Sequence, residues 1–203
     1  MRKVTQGMLL FLFLLSLAGC TMSSSEDADL AQGKIAPTVL TESAQDVFDA
    51  FGMRDTSQML SFNAPAGARS VEISVYRLGT NGTWASIGGG GLSLDDGQTQ
   101  NAELSGTFAM QLREHYSMDI FVRCSGLYTF QTDEIVLDQQ IVSSLKGFLR
   151  DQQEITLNTE IPVALLVYDD GTAMDSYSLQ DYFESDGFAG MDLVQAVTLE
   201  FLD

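Results

Sequence analysis

The chain has 203 residues, is 45% hydrophobic, and carries 10 basic against 28 acidic residues, for a formal net charge of −18. This charge argues against a nucleic-acid-binding protein, because binding phosphates requires clustered Lys and Arg. One His and two Cys are too few for zinc-finger, iron–sulfur or multi-disulfide scaffolds, so we predict no cofactor and no metal site.

Residues 1–19 have the layout of a secretory signal peptide. Arg2 and Lys3 form a short basic start, and Met8 to Leu17 is an apolar run interrupted only by Ser16. As a helix this run would span about 15 Å, roughly half of a bilayer core. We therefore interpret it as a cleaved leader and not as a membrane span.

The leader ends in Leu17-Ala18-Gly19-Cys20, which resembles the lipobox of bacterial lipoprotein precursors. The resemblance covers only these first 20 residues. It implies that the Cys20 thiol receives a diacylglyceryl group, that cleavage makes Cys20 the first mature residue, and that acyl chains such as palmitate anchor the protein. The expected location is the extracytoplasmic face of a cell membrane. An ordinary secretory signal and an uncleaved anchor are the alternatives.

The segment after Cys20 is small, polar and acidic from Thr21 to Gly33, and Pro37 marks the approach to structure. We predict a lipidated Cys20 and a flexible acidic tether over residues 20–37, followed by one domain over residues 38–203. Loss of residues 1–19 removes two basic residues and no acid, so the mature charge becomes about −20.

A short helix is predicted from Thr41 to Gly52, where Ser43 can cap the start and Gly52 can end the helix. Its apolar residues recur at three- and four-residue spacing: Ala44, Val47, Phe48 and Phe51.

From Gln58 onwards the apolar period becomes two, which predicts strands. Asn81-Gly82 is typical of a two-residue hairpin turn. We interpret Gly88 to Gly91 as a flexible connection between strands, and Asp95-Asp96-Gly97 as a further turn.

Strands are also predicted at Leu104 to Leu112, at Met118 to Cys124 and at the C-terminus. Asp138 to Leu149 fits a helix or a strand. Val163 to Tyr168 is apolar throughout, which indicates a central strand covered on both faces.

The fold class that follows is mainly β, an antiparallel β-sandwich with one or two short helices. Val71 to Thr80 and Val163 to Thr172 are similar in sequence. Two half-domains that meet near residues 133–153 are therefore an alternative to one sandwich.

Few residues suggest chemistry. We interpret His115 as a solvated loop residue, because no nucleophile motif accompanies it. Cys124 shares a strand face with Ile120 and Val122, so we expect a buried and inert thiol. Asp169-Asp170-Gly171 could donate carboxylates to Ca²⁺, but an ordinary turn explains it as well. The remaining candidates are strand aromatics that could stack on sugar rings: Tyr76, Trp84, Tyr116 and Tyr128.

The sequence therefore predicts a lipid-anchored cell-surface protein that is a non-catalytic binding or structural module. Its expected partners are the membrane, through Cys20, and a surface protein or carbohydrate. An envelope-polysaccharide hydrolase or carbohydrate-binding module is one alternative. A cation-dependent adhesion module is another, because residues 151–203 hold 12 acids and no Lys or Arg.

Overall fold

The computed structural model describes residues 30–94 and 103–203. Its strands form two antiparallel sheets that pack face to face, which confirms the predicted mainly β sandwich. The lipobox residue Cys20 and the predicted turn at Asp95-Asp96-Gly97 lie outside the described residues. No helix among the described residues is long and apolar enough to cross a membrane.

The strands, in chain order, are β1 (Lys34–Pro37), β2 (Ser57–Asn63), β3 (Ser70–Leu78), β4 (Trp84–Ser93), β5 (Ser105–Leu112), β6 (Met118–Arg123), β7 (Leu127–Gln131), β8 (Ser143–Phe148), β9 (Gln153–Glu154), β10 (Ile161–Asp169) and β11 (Leu193–Leu202). Helix α1 spans Glu42–Ala50, and short 3₁₀ turns span Glu114–Tyr116, Leu179–Phe183 and Ser185–Phe188. Sheet A has the order β7-β6-β5-β2-β1-β9, and sheet B has the order β4-β3-β11-β10-β8.

The core lies between the two sheets, where the apolar face of each period-two strand turns inward. The rings of Phe62 and Phe201 meet across it edge to face, with centroids 5.2 Å apart. All nine residues of β10 are buried, as the sequence predicts. A smaller apolar cluster covers the outer face of β10 with Tyr182 and Phe188, which come from the long connection 170–192.

The predicted tether boundary at residue 37 is wrong. Residues 34–37 form β1, which pairs with β2 on one side and β9 on the other. Ile35 of β1 is fully buried in the core, and the side-chain amide of Asn63 donates to the Leu30 carbonyl at 3.0 Å. The folded chain therefore includes residue 30. Burial of Ile35 holds β1 in the sandwich, and the bond from Asn63 holds Leu30 beside it.

The strand pairing does not follow the alternative of two half-domains. β3 from the first half of the chain pairs with β11 from the second half over eight residues. β1 likewise pairs with β9 in the other sheet. Each sheet therefore contains strands from both halves, and the segment 133–153 contributes β8 to sheet B.

Three local details differ from the sequence predictions. The segment that fitted either a helix or a strand forms β8, because it pairs with β10 over six residues. The β3–β4 hairpin turns through residues 79–83, not through two residues, since Leu78 pairs with Trp84. Helix α1 is present, but the Thr41 hydroxyl caps it by accepting from the Ala44 N–H, and Ser43 does not.

The glycine run 88–91 is part of β4, so its interpretation as a flexible connection is wrong. These residues pair with Glu72 to Val75 of β3. Glycine is required because β7 of the other sheet crosses closely: a Cβ on Gly90 would overlap the Tyr128 hydroxyl, and one on Gly88 would lie 3.1 Å from the Phe130 ring. The Tyr128 hydroxyl donates to the Gly89 carbonyl at 3.2 Å, so this edge of the sandwich is closed.

The sandwich has two distinct ends. We call the end where the chain enters β1, at Gly33, the entry end, and the opposite end the far end. Segment 155–158 joins both sheets at the entry end, through bonds from the Ile155 N–H to the Gly33 carbonyl and from the Asn158 N–H to the Phe201 carbonyl. The long connections 38–56, 132–142 and 170–192 all leave from the far end.

The crossing of β7 over β4 can be tested at Gly90. We expect Gly90→Ala to lower the free energy of unfolding by about 1–3 kcal/mol, because the added methyl overpacks against Tyr128 and because φ at Gly90 is 151°, which disfavours any side chain. Gly187→Ala is the matched control, since a Cβ there meets nothing within 4 Å. Chemical denaturation of both variants measures the difference, and equal stabilities would contradict the proposed cause of the glycine run.

Candidate functional site

An open cleft of about 960 Å³ lies at the far end, between the two sheets. On the side of sheet A it is lined by Thr56, just before β2, by the ends of β5 and β7 and by the connection 113–117. Strands β8 and β10 of sheet B and the connection 132–142 line the other side. A cleft of this volume is within the range of small-ligand sites. Its lining is mixed, with tyrosines, hydroxyl and amide groups, and charges of both signs.

Two consecutive residues at the rim of this cleft have left-handed backbone conformations. His115 has φ of 53° and Tyr116 has φ of 60°. Such conformations cost side-chain-bearing residues about 1–3 kcal/mol each, and they persist only where the surroundings fix them. Strain of this kind concentrates at ligand-binding and catalytic sites.

Four contacts hold this strained pair in place. The side-chain amide of the fully buried Gln195 donates to the Tyr116 carbonyl at 3.0 Å. The Ile135 N–H donates to the His115 carbonyl at 2.8 Å. The Tyr116 ring packs edge to face on Tyr168, with centroids 4.8 Å apart, and His115 Nδ1 lies 3.3 Å from Glu134 Oε2. Sheet B and the connection 132–142 therefore fix the conformation of this rim.

The cleft exists because β8 is polar on its inward face at the far end. Ser144 and Lys146 pair with the core residues Tyr168 and Leu166 and so share their face of the sheet. Phe148, two residues further on, packs against the core instead. Apolar packing between the sheets thus stops at Lys146, and the space beyond it is the cleft.

The cleft has an unusual charge for this chain. It contains Arg113, His115 and Lys146 beside only two acids, Glu114 and Glu134, although the whole chain carries −18. Arg113 pairs with Asp119 at 3.1 Å. Among the described residues no carboxylate lies within 4 Å of the Lys146 ammonium. Lys146 is therefore available to an anionic group of a ligand.

Tyr168 is at the inner wall of the cleft. Burial, together with the neighbouring Tyr116, raises the pKa of Tyr168 to about 12. At neutral pH its phenol is consequently protonated, and it offers a neutral hydroxyl and no negative charge.

Of the four aromatic residues that could stack on sugar rings, three pack within the fold and one lines the cleft. Trp84 packs on Tyr182, with centroids 5.2 Å apart, and its indole N–H donates to the Tyr182 carbonyl. Tyr76 packs on the same Tyr182 ring, and Tyr128 covers the glycine run. Of the four, only Tyr116 lines the cleft.

A second polar cluster lies on the outer face of sheet B, around Glu160. Its carboxylate accepts from Tyr76 at 2.7 Å, from Tyr182 at 2.7 Å and from Thr198 at 3.1 Å. Charge-assisted bonds of this length are strong. Because Tyr182 belongs to the connection 170–192, the cluster fixes that connection to the sheet, and its role is structural.

The predicted turn at Asp169 brings three carboxylates together. Oxygens of Asp169, Asp170 and Asp192 lie within 4.8 Å of one another. Backbone donors already engage two of them: the Asp170 N–H bonds to Asp192 at 2.7 Å and the Gly171 N–H to Asp169 at 3.0 Å. Hard cations such as Ca²⁺ take six to eight oxygens. The turn accounts for the arrangement, and we build no function on it.

Cys124 lies just beyond β6, half-buried against the core. Burial raises the pKa of its thiol to about 11. The protonated thiol is a poor nucleophile at neutral pH. The thiol is thus less buried than its strand pattern suggested.

The sequence indicated His115 as a solvated loop residue, and its side chain is 60% exposed. The sequence did not reveal that His115 shares a cleft with Glu134, Lys146 and Tyr168. One signal was available in the sequence. The alternation Ser144, Lys146, Phe148 places two polar residues on the face that a buried strand would make apolar. The pairing with β10, which shows that this face is the inner one, is not readable from the sequence.

Comparison of the chain with known protein families, curated proteins and solved structures found no match.

The outer cluster generates a pH-dependent prediction at Glu200, which pairs directly with Glu72 across the sheet. Burial first, and then the charges of Glu160 and Glu72, raise the pKa of Glu200. The folded state thus binds this proton more tightly than the unfolded state. The resulting stabilisation is full below the ordinary pKa of 4.5 and is lost as the pH rises through the raised value.

We therefore expect Glu200→Gln to raise the free energy of unfolding at pH 7 by about 0.2–1 kcal/mol, the usual cost of like charges on facing strands. The gain should shrink as the pH falls through the raised pKa of Glu200 and disappear below 4.5. Glu103→Gln removes the same charge from an exposed position outside the cluster and controls for net charge. Urea denaturation across pH measures the effect. A gain that is equal in both variants would show that net charge alone is responsible.

Proposed function

We propose that this chain is a lipid-anchored protein of the extracytoplasmic membrane face, and that it holds a non-catalytic binding site away from the bilayer. The motif at Cys20 supports the anchor. The position of the cleft supports the orientation, because the chain enters the sandwich at Gly33, at the end opposite His115. The nine residues between Cys20 and Leu30, which the fold already holds, would span at most about 32 Å when extended.

We further propose that the cleft binds an acidic saccharide. The strained His115–Tyr116 pair is the observation that carries this proposal, since a folded chain retains such strain where it positions groups for a ligand. Around the pair lie hydroxyl and amide side chains suited to a hydroxyl-rich ligand: Thr56, Ser117, Gln131 and Ser144. Lys146 supplies a cation for a carboxylate, and Tyr116 a ring for stacking.

The hydrolase alternative remains a second candidate because Glu114 and Glu134 both line the cleft. Glycosidases use a pair of carboxyl groups, one as acid and the other as base or nucleophile. Glu134 is engaged by His115, which favours a positioning role for this carboxylate. The binding function is therefore the one that we put forward.

The anchor is tested by replacing its thiol. We expect the wild-type chain to incorporate radiolabelled palmitate and to enter the detergent phase on phase separation, because two acyl chains suffice for stable membrane attachment. Cys20→Ser should abolish both. Cys124→Ser is the matched control, since it removes the other Cys of the chain and should leave both unchanged. Wild-type protein that stays unlabelled in the aqueous phase would refute the anchor.

The cleft is tested by calorimetric titration with trigalacturonate, an acidic trisaccharide, and with a neutral trisaccharide of the same length. We expect binding of the acidic sugar alone, and at least tenfold weaker binding by Lys146→Met, because the variant loses the charge-assisted contact. Lys34→Met is the control: Lys34 lies at the entry end and pairs with Glu154 at 2.7 Å. Its affinity should change less than twofold.

Three outcomes would contradict this assignment. If the neutral sugar binds as tightly as the acidic one, or if neither binds, Lys146 does not recognise an acidic saccharide. New reducing ends during incubation with polygalacturonate, lost in Glu134→Gln, would replace binding by the hydrolase alternative.

A further inference from the structure

Helix α1, together with Phe51 directly after it, buries none of its residues. It is nevertheless amphipathic, since Ala44, Val47, Phe48 and Phe51 recur at three- and four-residue intervals. Val47 is 52% exposed and Phe51 77% exposed. A helix normally buries such a stripe, because packing of the apolar face provides most of its stability.

Local contacts at both ends nevertheless stabilise this helix. Thr41 caps its first turn, and Arg54 forms a bidentate pair with Asp49, at 2.6 and 2.7 Å. The hydrogen bond from Arg54 lowers the pKa of Asp49. These contacts keep a short helix formed while two residues of its stripe, Val47 and Phe51, are exposed and the other two, Ala44 and Phe48, are half-buried.

The stripe belongs to a larger pattern at the far end. Of the large hydrophobic side chains exposed in the described residues, most lie in the three far-end connections: Val39, Val47, Phe51, Val136, Val142 and Phe183. Those connections, 38–56, 132–142 and 170–192, hold 13 acids and one basic residue, Arg54. These connections thus carry exposed apolar side chains among many acids, although part of 170–192 lies over the outer face of sheet B.

We propose that helix α1 and Phe51 dock into an apolar groove of a partner protein whose rim is basic. The spacing of the stripe is that of helix-in-groove recognition, in which residues at i, i+3, i+4 and i+7 fill the groove. On the face opposite the stripe the helix carries Glu42 and Asp46, and these acids complement Lys and Arg on the walls of a groove that surrounds the helix. This surface is separate from the cleft, and the inference does not depend on the cleft's ligand.

The negative charge of this region also disfavours two other binding partners, a second copy of the chain and a lipid bilayer. A second copy of the chain would bring equally acidic surfaces together, and like charges at an interface are costly. A bilayer with anionic lipids would repel the helix, whereas helices that lie on membranes are rich in Lys and Arg on their polar face. The helix also lies at the end of the sandwich opposite the entry of the chain at Gly33.

The experiment places the photo-crosslinker p-benzoylphenylalanine at Val47 in the full chain, in the cells that make it. Leu127 is the matched control position, because it is 58% exposed but lies on β7 outside the far-end connections. We expect an adduct with another protein from position 47 and not from position 127. Mass spectrometry identifies this protein, which is then purified for direct binding measurements.

In these measurements we expect Phe51→Ser and Val47→Ser each to weaken binding at least tenfold, and Leu127→Ser less than twofold. Raising NaCl from 50 to 500 mM should weaken binding at least fivefold, because the flanking contacts are ionic. Both helix variants should unfold at the wild-type temperature, since exposed positions contribute little to stability.

Several results would overturn the proposal: no adduct specific to position 47, an adduct with a second copy or with the chain's own residues 1–29, or a partner whose binding is insensitive to salt. Binding of the wild-type chain to phosphatidylcholine–phosphatidylglycerol vesicles that is lost in Phe51→Ser would identify a membrane as the occupant instead. Each of these outcomes leaves the cleft titration unaffected.

Discussion

Strand β10 is buried along its whole length, and this constraint shapes the rest of the molecule. A strand with two apolar faces needs cover on both, and sheet A supplies only one. The connection 170–192 supplies the other by laying Tyr182 and Phe188 over the outer face. Glu160 then holds Tyr182 in place through a direct hydrogen bond. The acidic connection 170–192 is thus partly a third layer of the fold.

The two edges of the sandwich differ, and this difference places the cleft at the far end. At one edge, the glycines of β4 let β7 approach closely, and the two sheets close there. Near the other edge, β8 carries Ser144 and Lys146 on its inward face, so the sheets remain apart and the cleft opens. At each edge one strand decides the outcome. The small residues of β4 let the sheets close, and the polar residues of β8 keep them apart.

Features that depend on local pattern were predictable from the sequence. The period-two strands, the both-sided burial of β10 and the existence of helix α1 follow from residue order alone. The glycine run was misinterpreted because the reason for it, the Tyr128 hydroxyl, lies far away in the sequence and opposite in space. Likewise, no sequence pattern near Leu30 predicts that the fold includes this residue. Ile35 is held by strands that come from two distant parts of the chain.

The site was less predictable than the fold for the same reason. His115 stood out as the single His, but its backbone conformation is fixed by Gln195 and Ile135, and no sequence signal connects these residues. The exposure of the helix stripe is a further example. Its spacing predicts an amphipathic helix, and spacing alone favours burial against the core. Only the structure shows that Val47 and Phe51 of this stripe are exposed.

The position of β1 has a mechanical consequence. β1 is hydrogen-bonded on both sides, to β2 over four residues and to β9 over two, and these bonds run perpendicular to the strand. A force that pulls the chain at Gly33 while the far end is held acts along β1, so it loads these bonds together in shear instead of opening them one at a time. The fold thus attaches its leading segment in the geometry that best resists traction.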